Sequence, residues 1–197
     1  MNKTDRLRRM LRRGFVDAAA AHRAGIPISL VYPLVKTGEA RRVSRGIYSS
    51  ANAGYSDMAD YETLAMTVPQ GVFCLLSALR LHELTDENPH ELYVAIKRGY
   101  HPPRVAHPPV CFVYRSEPHY SAEVKTRLSN GIPIRVYSLE QTLVDCFKAR
   151  NKIGLDVAIS ALREAFNKNK VDRNKLWEAA SRCRVSRIMR PYLEALS

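Results

Sequence analysis

The stretch ISLVYPLVKTGEARRVSRGIYSS, residues 28–50, decides the fold. Leu30, Val31, Leu34 and Val35 recur at the three- and four-residue spacing of one helix face, leaving Ser29, Tyr32 and Lys36 on the other. The spacing predicts a helix over Ser29 to Thr37. Pro33 is its weak point: a proline has no N–H for the hydrogen-bond ladder, so the helix must start late or kink. Gly38 closes it. Two extended runs, 40–43 and 46–49, then flank a turn at Ser44 to Gly46, where glycine permits the tight reversal. Arg41, Arg42 and Arg45 crowd around that turn.

Upstream, Leu7, Met10 and Leu11 recur at i, i+3, i+4 among Arg6, Arg8, Arg9, Arg12 and Arg13, the pattern of a short amphipathic helix with a basic face. Gly14 ends it. Asp17 is placed to cap a second helix through the alanines at 18–21, and Gly25 and Pro27 stop that helix. Helix, helix, turn, helix and hairpin is the order of a winged helix-turn-helix module, in which the third helix enters the major groove and the wing follows the backbone or the minor groove. Ser29, Tyr32 and Lys36 then face base edges or phosphates. Arg41, Arg42 and Arg45 hold phosphate bidentately or enter a narrow minor groove. A solvated hairpin beside a purely structural helix would account for each feature singly, but not for all of them within fifty residues.

The charge distribution favours the first reading. The 197 residues carry a formal net charge of +12, and residues 1–50 hold 11 Lys/Arg against 3 Asp/Glu, so most of the excess lies in the first quarter. Such a field attracts polyanions. The chain is 46% hydrophobic and 25% charged, which is a globular and not a disordered composition. No stretch approaches the roughly 18 apolar residues that span a membrane, and the basic N-terminus has no apolar segment behind it. The expectation is a cytoplasmic protein with no membrane partner. Cys74, Cys111, Cys146 and Cys183 occur singly, without zinc-ligand spacing, and read as reduced thiols.

After SSANAG (49–54), a linker-like segment, the composition shifts, dividing the chain into a DNA-binding domain over 1–52 and a larger α+β domain over 53–197. In the second part, 61–67 and 72–84 read as helices, the latter apolar around most of its circumference. ELYVAIKR (91–98), VCFVYR (110–115) and IPIRVY (132–137) read as strands, the last after an Asn130–Gly131 turn. Ser138 and Gln141 form a capping-box pattern for a helix through Ala149, with Leu139, Leu143, Val144 and Phe147 inward. A helix over 156–166 and a basic C-terminal pair, capped by Asp172 and carrying Arg182, Arg184, Arg187 and Arg190, complete the chain. The fold class is therefore α+β, a winged helix-turn-helix followed by a domain with a mixed or antiparallel sheet of at least three strands.

The segment KTGEARRVSRGIY, the helix LLSALRLHEL and above all GIPIRVYSLEQTLVDCFKARNKIGLDVAISALREAF resemble AbiEi-type proteins, the antitoxins of type IV toxin-antitoxin systems. The resemblance covers nearly the whole chain and implies two activities. The winged domain binds inverted repeats in double-stranded DNA of its own promoter and represses the operon. The larger domain antagonises a nucleotidyltransferase-like toxin without a stable complex, and its Arg182, Arg184, Arg187 and Arg190 face contributes to DNA binding or to the antidote. A ligand-responsive winged-helix transcription factor is the alternative.

An enzyme is the weaker expectation. Glu123 and Lys125 match only the ExK half of a metal-dependent nuclease motif and need an acid such as Asp86 or Glu91 beside them. Asp145 reads as a structural residue bonded within its helix or to Lys148, and His82 as a core-edge imidazole. His101, His107 and His119 fall among prolines without an evident acid partner. No fingerprint of a hydrolase, zinc protease, P-loop or dinucleotide site occurs. No catalytic residue, metal or cofactor is expected.

Overall fold

The computed structural model describes residues 2–44, 46–51, 58–86 and 89–196. The chain divides into two compact units, the first comprising residues 1–69 and 128–134, the second 70–127 and 135–197. The division at 52 read from composition falls outside the described residues, as does Arg45.

The first unit begins with α1 (Lys3–Arg13), capped by the Asn2 side chain. A two-residue strand β1 (Val16–Asp17) follows. Asp17 then caps α2 (Ala18–Arg23) by accepting the Ala20 N–H at 2.6 Å. A 3₁₀ turn over Ile28–Leu30 leads into α3 (Val31–Lys36). That late start resolves the Pro33 difficulty, since a proline in the first helical turn withholds only a donor that has no intrahelical acceptor. β2 (Ala40–Ser44) and β3 (Ile47–Ser50) form the hairpin, with a bulge between Arg42 and Ser44 and with Gly46 at φ +75°. β1 pairs antiparallel with the other side of β3, giving the strand order β1-β3-β2. Leu7, Leu11, Val16, Ala21, Val31, Leu34 and Tyr48 close on one core beneath the helices. α4 (Ala59–Thr67) also belongs to this unit. Its Glu62, 1% exposed, accepts hydrogen bonds from Ser129 Oγ at 2.5 Å and from Asn130 Nδ2 at 2.8 Å, so a buried carboxyl is satisfied by residues of the 128–134 turn.

The second unit holds most of a five-stranded sheet, order β6-β5-β4-β8-β7, from β4 (Val72–Phe73), β5 (Leu92–Lys97), β6 (Val110–Arg115), β7 (Val124–Ser129) and β8 (Ile132–Tyr137), residues 128–129 of β7 and 132–134 of β8 belonging to the first unit. β4 is antiparallel to β5 and parallel to β8, and β5 is parallel to β6, so the sheet is mixed. Asn130 and Gly131 both have positive φ, as a tight hairpin turn between right-twisted strands requires. Residues 72–84 are not one helix. Val72 and Phe73 pair with strands on both sides, and α5 (Leu75–Leu81) starts only after them. The apolar run suits both structures, and pairing with distant strands chose between them.

α6 (Leu139–Lys148) packs against α5, α8 (Leu155–Asn167) and α9 (Arg173–Arg182), and every residue from Gln141 to Phe147 is buried. Ser138 caps it by accepting the Gln141 N–H at 3.3 Å. The Gln141 side chain does not complete the capping box. It points inward, donating to Asp145 Oδ1 at 3.0 Å. α7 (Arg150–Ile153) and α10 (Ser186–Glu194) complete the chain, and Asp172 caps α9 by accepting the Asn174 and Lys175 N–H groups. No helix among the described residues is long and apolar enough to cross a membrane.

Candidate nucleic-acid interface

Burial of Val31 and Leu34 turns the opposite face of α3 and its 3₁₀ lead-in outward. Ser29, Tyr32 and Lys36 are all exposed, Tyr32 at 53%. The Tyr32 ring meets the buried Tyr48 ring edge to face, with centroids 6.3 Å apart. That contact fixes the base of the side chain and leaves its outer edge in water. Burial raises the pKa of the Tyr48 phenol, so Tyr48 acts as a neutral platform.

The hairpin arginines differ in exposure. Arg41, half-buried, donates from Nε to Ser49 Oγ at 3.2 Å across the strand pair. Arg42 lies opposite Tyr48 in the ladder and its side chain is exposed. One acid lies just before the hairpin, and it is neutralised. Arg8 reaches Glu39 through Nε at 2.8 Å and through a second nitrogen at 3.1 Å, and also meets Asp5 at 3.1 Å. Its hydrogen bonds hold the Glu39 carboxyl below the usual range. A two-pronged contact between residues 31 apart is invisible to helix periodicity, and the sequence reading missed it. The first unit thus exposes polar and cationic groups on α3 and the hairpin, with its nearest acid already paired.

No protein-family model and no curated protein sequence matches this chain.

In the second unit the four C-terminal arginines are all exposed but are employed unequally. Arg182 donates to Gln141 Oε1 at 2.9 Å, tying the end of α9 to the buried face of α6. Arg184 lies between the helices at φ +59°. Arg187 and Arg190 lie one turn apart on α10, and the Arg190 guanidinium stands 5.7 Å from the centroid of the half-exposed Trp177 ring. Among the described residues Arg187 is therefore an exposed cation on this face, while Arg182 has a structural partner.

The buried polar groups of this unit carry a pairing that the sequence did not reveal. Asp145, 3% exposed, ion-pairs with Arg115 at 2.8 Å and not with Lys148. Arg115 belongs to β6, thirty residues away in sequence and with no periodic relation to α6, so the only hint is an arginine closing an apolar strand. Burial pushes the Asp145 carboxyl pKa upward against the pull of that guanidinium. The Arg115 guanidinium also lies over the Tyr137 ring, 4.6 Å from its centroid. His82 is buried, with Nε2 2.8 Å from the Tyr137 carbonyl and Nδ1 3.2 Å from Arg127, a satisfied structural imidazole. Glu123 and Lys125 are exposed around β7, and no cluster of three or more His, Cys, Asp or Glu suited to a metal forms among the described residues. Cys74, Cys146 and Cys183 are buried and Cys111 half-buried, and burial pushes the Cys74 thiol up to about 12.

Proposed function

We propose that this chain is a DNA-binding autoregulator with antitoxin activity, its first unit a winged helix-turn-helix module. The observation that carries the reading is the joint exposure of Ser29, Tyr32 and Lys36 on the α3 face and Arg42 on the adjoining hairpin, in a unit whose nearest acid is already neutralised. α3 enters the major groove, and β2 and β3 form the wing. Lys36 and Arg42 neutralise phosphates, while Ser29 and Tyr32 reach base edges. Inverted repeats in promoter DNA suit two copies of such a unit. The antitoxin role, directed against a nucleotidyltransferase-like toxin, rests on the resemblance to AbiEi-type proteins.

A mobility-shift titration with the region upstream of the gene, repeated across salt concentrations, tests the DNA reading. Contact with about five to eight phosphates gives a log–log slope near −0.9 per phosphate. A salt-insensitive or absent shift overturns the reading. Co-expression with the neighbouring toxin gene tests the antidote: growth restored by the full chain supports it, and continued arrest refutes it. The second reading, a ligand-responsive regulator, is favoured by one observation, a cleft of about 340 Å³ in the second unit.

A further inference from the structure

We infer that this cleft is a binding site for a small organic anion, a carboxylate or phosphate attached to an apolar body. It opens between the end of β6, the start of α5 and the last turn of α6. Leu75, Val113 and Ala149 give it apolar walls, and Arg115, Asp145 and Lys148 supply its charge. The site does not depend on whether the first unit binds DNA.

Arg115 is the deciding residue. Its side chain is only 13% exposed, yet among the described residues its guanidinium has one close acceptor, Asp145 Oδ2 at 2.8 Å, an oxygen that no well-aligned donor satisfies. The guanidinium lies between Asp145 and the Tyr137 ring and lines the cleft. A planar fork fixed in this way is preorganised for a second carboxylate or a phosphate. Asp145 cancels one cation, and Lys148 at the rim restores a positive balance. The apolar walls then require that the anion carry a hydrophobic group, since an inorganic ion would leave them wet.

Leu75 adds a constraint of its own. It sits at φ +47°, a left-handed conformation uncommon for a branched side chain, and it is both buried and part of the wall. It lies two residues after the strand pairing of Phe73 and opens α5, so its backbone is bounded by regular structure on both sides.

The full-length chain can be tested with the fluorescent probe 8-anilinonaphthalene-1-sulfonate, an organic anion with an aromatic body. We expect one saturable site per chain. Lys148→Ser weakens binding about tenfold, the worth of one charge-assisted contact, whereas Lys175→Ser, the same change at an exposed lysine outside the cleft, leaves it unaltered. The paired change Arg115→Met with Asp145→Leu replaces a buried ion pair by apolar groups and abolishes saturable binding while retaining the native circular dichroism. Should that pair fail to fold, the Lys148 and Lys175 comparison decides alone. Phenylacetate and phenyl phosphate as competitors distinguish a carboxylate from a phosphate ligand. Non-saturable binding, binding indifferent to Lys148→Ser, equal weakening by Lys175→Ser, or displacement by neither competitor overturns the assignment.

Discussion

Arg42 on β2 and Arg115 on β6 both end up on strands beside a tyrosine, and there the likeness stops. Arg42 projects into solvent opposite Tyr48, whereas Arg115 is packed over Tyr137 and bonded to a buried carboxylate. An exposed arginine contributes little to folding and presents its charge at the surface. A buried one has already lost its water, so its remaining donors gain more from any anion that reaches them. The first arrangement suits a long, salt-sensitive surface contact. The second suits one small molecule.

The contrast can be broken most severely at Asp145. Asp145→Ala leaves Arg115 buried without its carboxylate and lowers unfolding free energy by about 3–5 kcal/mol, measured by urea denaturation. The same change at Arg42 stays within about 0.5 kcal/mol. A milder loss, about 1 kcal/mol, is expected for Asp17→Ala, which removes the cap of α2 without touching the exposed face of α3. Arg42→Ala reads out on the other axis. It weakens DNA binding similarly across sequences and flattens the salt dependence by about one unit, seen in mobility shifts at several salt concentrations. If Arg115→Lys flattened that slope equally, the two arginines would not have separate employments.

The smallest effect is set by pH. Burial lowers the His82 pKa, with Arg127 adding to the effect and the Tyr137 carbonyl opposing it. The unfolded chain therefore binds this proton more readily than the folded one. Stability from this group is complete above about pH 6.5, the unfolded value, and declines as pH falls through that value toward the lower folded one. Comparing denaturation midpoints at pH 7.5 and 5.5, His82→Gln should lose part of the acid sensitivity of the parent. An unchanged sensitivity would place it in other groups.

What was readable in the sequence was what neighbours in the chain decide. Asp17, Ser138 and Asp172 cap the helices that follow them because a cap needs only the next two or three N–H groups. The α3 face was readable for the same reason. Where distant residues vote, local pattern fails. Val72 and Phe73 became a strand through partners on two other strands, and VKTRLS of β7 has too little apolar alternation to announce itself. The candidate sites divide along the same line. Ser29, Tyr32, Lys36 and Arg42 come from one short stretch, whereas Arg115 and Asp145 meet only once the sheet and α6 have packed. By position Gln141 suits half of a local cap, but its side chain serves Asp145 and Arg182.

The bonds to Glu62 bear on the order in which the protein is made. Its donors, Ser129 and Asn130, lie 67 and 68 residues farther along the chain. During synthesis the amino-terminal unit emerges with a carboxyl destined for burial and no group yet made to receive it. Full consolidation of that unit waits for translation to pass residue 134. A gene fragment that stops at residue 69 would produce α3 and the hairpin without the two donors of that carboxyl, so a minimal version of the first unit should carry residues 128–134 with it.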